Sequence, residues 1–350
     1  MSVPLDNYVH AFLTRLTDKH GLYSKRATKR LVEDIKRYKP DIIHLHNIHG
    51  YYVNYEMLFH FLKQYGKQVI WTMHDCWAFT GHCAHYESVG CMKWQDGCRN
   101  CPNTGAYPAT FNKAQTHENY NKKRTAFTGS EQLTIVAPSV WLQEQIKQSF
   151  LSDYICIVIP NGVDLDRFKP RKSDLKQKLD CANKKLLLGV ASVWTNNKGF
   201  QDFLKLRQRL DQQYAICMVG LNERQIKLLP EGIIGVRRTQ SIEELAQYYS
   251  AADVFLNLTY EDTFPTTNIE ALACGTPVIT YRTGGSPEIF DESCGISVKK
   301  GDIEHVIKKL EMWGSSLRDT NCRGRASLYD KNACYGKYLE CYYDIIGDIN

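Results

Sequence analysis

Short, almost wholly apolar runs alternate with helix-patterned stretches along most of this chain, and few folds accept that pattern. In the first half the apolar runs fall at 41–46, 69–73, 133–137 and 155–159. In the second half they fall at 185–191, 215–219, 233–236, 254–258 and 277–280. Helical patterns occupy 25–38, 55–65, 140–149, 200–212, 242–252, 266–274 and 303–313. A strand that is apolar throughout, rather than at alternate positions, is buried on both faces. A helix between successive strands is the connection a parallel pair needs. The sequence therefore predicts an α/β chain with parallel sheets covered by helices on both sides.

At 350 residues the chain exceeds what one ordinary core serves, so two domains are expected. The polar run 164–184, with Pro170 and many charges, reads as the linker. The expectation is two doubly wound, Rossmann-like domains facing a central cleft. The first spans 1–165 and carries a Cys-rich insert over 74–102. The second spans 166–325, and a terminal helix over 326–350 packs back toward the first. The chain opens on a polar, helical stretch rather than a strand with a glycine-bearing turn, so the first domain is expected to lack its opening strands. In such sheets ligands bind outside the carboxyl ends of the strands, so the chemistry should lie just after them.

Charge narrows the function. The net charge is +6, from 44 Lys+Arg against 38 Asp+Glu, and the basic residues are scattered rather than striped. That disfavours a nucleic-acid binder. No apolar run approaches the ~20 residues of a membrane span, and the opening residues lack a signal peptide's pattern. The expected location is cytoplasmic, with peripheral contact at the inner face of the membrane. The candidate surface is the helix over 25–39, with Lys25, Arg26, Lys29, Arg30, Lys36, Arg37 and Lys39. Glu33 and Asp34 interrupt that run, so a plain solvated face is the competing reading.

The most informative segment runs from Glu261 to Pro277, after the strand at 254–258 and into a helix. Thr266 or Thr267 is expected to cap that helix, and Gly275 to end it. The unpaired N–H groups and dipole of the helix start favour an anion such as a diphosphate. Glu270 shares a face with the two threonines and can hold two vicinal ribose hydroxyls. Asp262, ahead of the helix, could hold sugar hydroxyls. Taken alone, Thr267 and Glu270 could equally form a capping box with no ligand.

Around that segment a wider pattern appears. Asp262 and Glu270 are separated by seven residues and followed by Ala-x-Ala-x-Gly-x-Pro-Val. Lys198-Gly199, Asn161-Gly162-Val163-Asp164, Gly284-Gly285-Ser286-Pro287-Glu288 and the run His74 to Gly81 stand elsewhere. Together these resemble family 4 glycosyltransferases of the GT-B fold, and most nearly their colanic-acid and exopolysaccharide branch. The resemblance implies a retaining, hexosyltransferase-type enzyme that needs no metal for catalysis. Its co-substrate would be a UDP- or GDP-sugar, and its acceptor a lipid-linked glycan or an oligosaccharide in cell-surface polysaccharide synthesis. It implies that Glu270 binds ribose, and that Asp262, with Glu261 and the segment Phe264, Pro265, Thr266 and Thr267, holds sugar and diphosphate. Lys198 would neutralise the leaving diphosphate, His74 would reach toward the sugar, and Asn161 and Gly162 would border the donor. Where many members carry an Arg five residues before the Lys-Gly pair, this chain has Val193. Arg237 or Arg238 are the candidates to replace that cation. Another GT-B enzyme acting on sugar nucleotides, or a donor-binding regulatory subunit without turnover, are the alternatives.

The insert is a separate matter. Cys76, Cys83, Cys91, Cys98 and Cys101 fall within 26 residues. Cys98 and Cys101 have the two-residue gap of a zinc knuckle, so Cys83, Cys91, Cys98 and Cys101 are the candidate ligands of a structural zinc. Reduced, buried thiols are the competing reading.

Overall fold

A computed structural model describes residues 4–112, 114–313 and 321–347. Contacts divide the chain into two compact units, Met1–Ile159 with Tyr338–Asn350, and Pro160–Lys337.

The first unit holds helices α1 (Pro4–Thr17), α2 (Lys25–Tyr38), α3 (Tyr55–Tyr65), α4 (Thr116–Phe127) and α5 (Val140–Lys147). Its strands are β1 (Ile42–Leu45), β2 (Gln68–Thr72), β3 (Leu133–Ala137) and β4 (Cys156–Val158). The four strands are parallel in the order β1-β2-β3-β4. Caps set the helix entries: the Asn54 side chain accepts from the Met57 N–H at 2.9 Å, and Ser139 from Leu142 at 3.2 Å. The core on one side gathers Tyr55, Phe59, Trp71, Trp77 and Phe127.

The second unit carries β5 (Lys185–Val190), β6 (Tyr214–Val219), β7 (Ile233–Val236), β8 (Val254–Asn257), β9 (Val278–Tyr281) and β10 (Gly295–Val298). Its helices are α6 (Leu175–Lys178), α7 (Phe200–Arg209), α8 (Glu223–Lys227), α9 (Ile242–Ala251), α10 (Thr266–Ala273), α11 (Ile303–Met312) and α12 (Cys322–Ala326). The strand order is β10-β9-β8-β5-β6-β7, all parallel. The chain winds outward from β5 in one direction and returns to start again at β8. The order therefore reverses between β5 and β8, which is where such a sheet opens a crevice. Two cores flank the sheet, one around Leu186, Phe255 and Ile269, the other around Leu187, Phe203 and Ile279. Successive residues of β5 thus face opposite cores, which is why the strand reads as one apolar run.

Three expectations change. The unit boundary lies at Ile159/Pro160 rather than at 165/166, because Val163 pairs with Asp330 and its N–H donates to Tyr329 O at 2.9 Å. The run 164–184 is no free linker either. Phe168 and Leu175 enter the second core, and Arg167 pairs with Glu243 at 2.8 Å. The terminal helix expected over 326–350 starts later, as α13 (Lys331–Gly347), but its residues from Tyr338 pack with the first unit as expected. There Tyr342 Oη lies 2.6 Å from His44 Nδ1, and Cys341 packs with Ile70, Val136 and Ile159.

Candidate active site

The loop after β8 and the start of α10 lie at the β5/β8 switch. Helix α10 begins at Thr266 behind Pro265, and no side chain caps it. The threonine cap and capping box are therefore not formed; Asn268 N–H donates to Pro265 O at 3.2 Å, and no side chain closes the N–H groups of Thr266 and Thr267, which suit an anion. At the other end Cys274 is the C-cap and Gly275 follows it. Gly275 N–H donates to Leu272 O and Thr276 N–H to Ala271 O, both at 2.9 Å, a Schellman closure that ends the helix one residue earlier than expected.

Two glycines let neighbouring loops close on this segment. Gly199, at φ +79°, comes so near the end of β8 that a Cβ would sit 2.3 Å from Leu258 O. Gly284, at φ +48°, is nearer still: a Cβ would stand 1.8 Å from Asp262 O. Only residues without a side chain allow the turns after β5 and β9 to touch the loop after β8. Lys198 and Asp262 are thereby brought together, with Nζ and Oδ2 3.0 Å apart.

Each predicted residue can now be placed. Lys198 also donates to Glu261 O at 3.4 Å. Asp262 turns its other oxygen to its own loop, accepting from Phe264 N–H at 3.3 Å. The Glu261 side chain is buried and accepts from Asn197 Nδ2 at 2.8 Å, so it braces the loop after β5 rather than sharing Asp262's outward role. The Phe264 ring is core, stacked edgewise on Tyr329 at 5.6 Å, which leaves only its backbone for a ligand. Pro265 is buried, and Thr266 and Thr267 are partly exposed at the helix start. Glu270 Oε2 accepts from Tyr249 Oη at 2.9 Å. Burial pushes the Glu270 carboxyl up from its ordinary range, while bonds from Tyr249 and Thr266 oppose the shift.

Others fall apart from this cluster. Gly162 lies against α13, where a Cβ would be 2.5 Å from Lys331 Cα. Val193 is exposed in the turn after β5. Arg237 is held by Glu223 at 2.8 Å. Arg238 is exposed, and among the described residues no hydrogen bond or ion pair joins it to Lys198, Asp262 or Glu270.

His74 lies in the first unit, just after β2. Its Nε2 is 3.0 Å from His46 Nδ1, and the two rings stack. Burial lowers the acidity range of both, so both favour the neutral form. Next to them His49 Nε2 stands 3.0 Å from Asp75 Oδ2. His46 and His49 went unread in the sequence, although they follow β1 as His74 follows β2. The rule that ligands gather at the carboxyl ends of strands would have found them. Asp202 was also missed: its Oδ2 accepts from Tyr260 Oη at 2.6 Å and Tyr281 Oη at 2.9 Å, fixing the residue that precedes Glu261.

The four insert cysteines, Cys83, Cys91, Cys98 and Cys101, do line one small cavity. Among the described residues no three His, Cys, Asp or Glu side chains are arranged to hold a metal ion. The thiols are engaged otherwise: Cys83 and Cys101 hydrogen-bond to each other, Gly81 N–H donates to Cys98 Sγ at 3.1 Å, and Asn103 N–H to Cys101 Sγ at 3.4 Å. The insert is held instead by a buried lysine. Lys123 Nζ donates to Trp77 O at 2.7 Å and Thr80 O at 3.0 Å, and lies 3.7 Å from the Trp77 ring centroid.

Family models match both units: Glycosyltransferase Family 4 over residues 4–167 and Glycosyl transferases group 1 over 184–313. This chain is a family 4 glycosyltransferase. Among its relatives is WcaC of Escherichia coli K12, whose name assigns it to colanic acid biosynthesis as a glycosyl transferase. The two are 23% identical over 87% of this chain and 77% of that protein. Another is the N,N'-diacetylbacillosaminyl-diphospho-undecaprenol alpha-1,3-N-acetylgalactosaminyltransferase of Campylobacter jejuni, 22% identical over 56% of each. Among solved structures, Anabaena HepE in complex with UDP superposes with a TM-score of 0.66. It is 15% identical and covers 91% of this chain and 82% of its own. These likenesses establish two parallel-sheet α/β units of the GT-B type.

Proposed function

We propose that this glycosyltransferase moves a sugar, with retention, from a UDP- or GDP-sugar to a glycan or lipid-linked acceptor in cell-surface polysaccharide synthesis. The observation that carries the reading is the uncapped start of α10, set at the β5/β8 switch with the Lys198–Asp262 ion pair beside it and Glu270 one turn in. The helix start and Lys198 offer a diphosphate its positive partners. Glu270 offers the ribose hydroxyls an acceptor, aimed by Tyr249. Asp262 is the sugar contact. The names of WcaC and of the Campylobacter enzyme support a polysaccharide or polyprenyl-linked acceptor, and the UDP in HepE supports a uridine donor.

In the reaction the bond from the anomeric carbon to the diphosphate oxygen breaks, and the acceptor oxygen bonds to that carbon on the same face. The acceptor's proton passes to the departing phosphate oxygen. Charge grows on the diphosphate as it leaves, so Lys198 and the α10 N–H groups act where they are worth most. His74, paired with His46, is the acceptor-side group of the first unit.

The test is nucleotide release from a panel of UDP-, GDP- and ADP-sugars. Release that Glu270→Ala abolishes supports the reading. Donor binding with no turnover in any pairing would instead favour the regulatory subunit, a reading that the exposed Val193 and the engaged Arg237 keep open.

A further inference from the structure

Helix α7 packs through Phe203 and Leu206, yet its first turn also buries a carboxylate, Asp202, which is 3% exposed. Three donors converge on it. Oδ2 accepts from Tyr260 Oη at 2.6 Å and from Tyr281 Oη at 2.9 Å, and Oδ1 accepts from Lys205 Nζ at 3.1 Å. The Lys205 side chain is largely exposed, so solvent screens that ion pair and the two phenols supply most of the compensation. Burying a carboxylate costs free energy that such bonds offset only in part, and a well-packed apolar replacement is often as stable. The cluster therefore contributes less to stability than to geometry: it sets where its two phenols stand.

Those phenols belong to different elements. Tyr281 ends β9 and is fully buried, so its side of the cluster is fixed in the core. Tyr260 lies in the loop after β8, its ring edgewise on Tyr281 at 5.3 Å. Glu261 and Asp262 come next along that loop. Asn197 holds the same loop by a second grip. Its carbonyl accepts from Tyr260 N–H at 2.8 Å, and its Nδ2 donates to Glu261 Oε2 at 2.8 Å. Asn197 thus holds the backbone of Tyr260, while Asp202 holds the tip of its side chain, and two points on one residue stop the loop turning about either. Lys198 stands in the chain between Asn197 and Asp202, and its Nζ meets Asp262 Oδ2 at 3.0 Å. One short segment therefore carries the cation and both grips on the loop that carries the anion.

We propose that Asp202 is a positioning residue: through Tyr260 it holds Asp262 in register with Lys198 for the transfer step. The inference rests on the donor-site reading above, and it assigns Asp202 no contact with substrate. Misplacing a charged pair by a fraction of an ångström lowers the rate of the step it serves more than it lowers binding.

The test compares Tyr260→Phe, which keeps the ring and loses the loop's bond, with Tyr281→Phe, the matched loss on the core side. Tyr260→Phe should lower kcat about tenfold while calorimetry finds UDP or GDP affinity within about twofold of wild type. Tyr281→Phe, with a comparable fall in Tm, should retain most of the turnover. Asp202→Asn, which turns an acceptor toward both phenols into a donor, should repeat the Tyr260→Phe pattern with a larger fall in Tm. In a Lys198→Ala background, Tyr260→Phe should cost no more than about twofold, because the pair it positions is gone. Acetylation of Lys198 by acetic anhydride, read by peptide mass spectrometry, reports the ion pair without turnover. Tyr260→Phe should speed it about threefold, the size of a partly exposed pair, and Tyr281→Phe should not. Equal falls in kcat for the two Phe variants, a full Tyr260→Phe effect in the absence of Lys198, or unchanged acetylation would overturn the proposal. If wild type turns over no sugar nucleotide, the transferase reading falls, and the acetylation rates still decide whether Asp202 sets the pair.

Discussion

Glu270 offers the sharpest test of how the donor is held. Its carboxylate is partly buried, and one oxygen is fixed by Tyr249 Oη at 2.9 Å. The remaining acceptor capacity suits two vicinal hydroxyls. A hydrogen bond to a charged group contributes about 1.5–3 kcal/mol. Losing two of them should cost about 3 kcal/mol or more, which is roughly a hundredfold in donor affinity. The assay is calorimetric titration of UDP and GDP, each against its 2′-deoxy analogue, with wild type and Glu270→Ala. Wild type should prefer the ribonucleotide by about tenfold or more. The variant should bind the ribonucleotide weakly and lose the preference, because the group that reads the hydroxyl is gone. A cycle of this form isolates the pair from general damage to the fold. If Glu270→Ala weakens both nucleotides equally and still prefers the ribose form, Glu270 does not touch the ribose and the argument fails. A pH series adds an independent check. Burial raises the Glu270 carboxyl above its ordinary 4.5. Donor affinity should therefore fall on acidification earlier than for an exposed carboxylate, and Glu270→Gln should flatten that limb. The stability effect has the opposite sense. Folding favours the neutral acid, so this group lowers stability as pH rises from 4.5 through the raised value, and the cost is constant above it.

Four further outcomes are expected. Lys198→Ala should lower the turnover rate by two orders of magnitude or so while changing nucleotide affinity less, because diphosphate charge grows as the bond breaks; equal losses in both would reassign it to ground-state binding. Gly199→Ala should destabilise the second unit by about 2 kcal/mol or more, since its φ is +79° and the new Cβ would lie 2.3 Å from Leu258 O; thermal unfolding reads it. Burial lowers Lys123 to about 7 from 10.5, so its contribution makes stability rise with pH across that window, and Lys123→Met should flatten the rise in urea midpoints while leaving Trp77 O and Thr80 O unpaired. The hydrogen bond from Cys83 depresses the Cys101 thiol and raises Cys83, so limited alkylation followed by peptide mass spectrometry should find Cys101 labelled well before Cys83.

Most of the fold was legible because each buried parallel strand leaves its own mark. The run at 215–219 is apolar at every position and the run at 185–191 carries no polar side chain after Lys185, and the structure pairs the two strands in register from Lys185 with Tyr214 to Val190 with Val219. Elements that bury polar groups left no such mark. Helix α4 turns Thr116, Asn119 and Lys123 inward, so its hydrophobic period is erased, and the sequence reading passed over it. The supposed linker failed for a related reason. Its charges are real, but they fold back on the second unit through Asp164 and Arg167, and the two apolar anchors Phe168 and Leu175 are too sparse to announce a core.

The site divides along the same line. Glu270, Lys198 and Asp262 stand at the offsets of the family motif they resemble, and the fold adds that Lys198 meets Asp262 at 3.0 Å. What the offsets could not say is which carboxylate faces outward. Glu261 and Asp262 are adjacent, and only the fold shows that Asn197 takes the first while Lys198 takes the second. The cysteines show the limit from the other side. Four thiols in one short insert satisfy any spacing rule for zinc. Here Cys83 bonds to Cys101, the Gly81 N–H donates to Cys98, and among the described residues no three ligands are grouped for a metal ion. Spacing fixes which side chains can meet. The geometry of their other partners decides whether they face one another or face a ligand. In this chain no side chain closes the start of α10, whereas in the insert Cys83 and Cys101 close on each other.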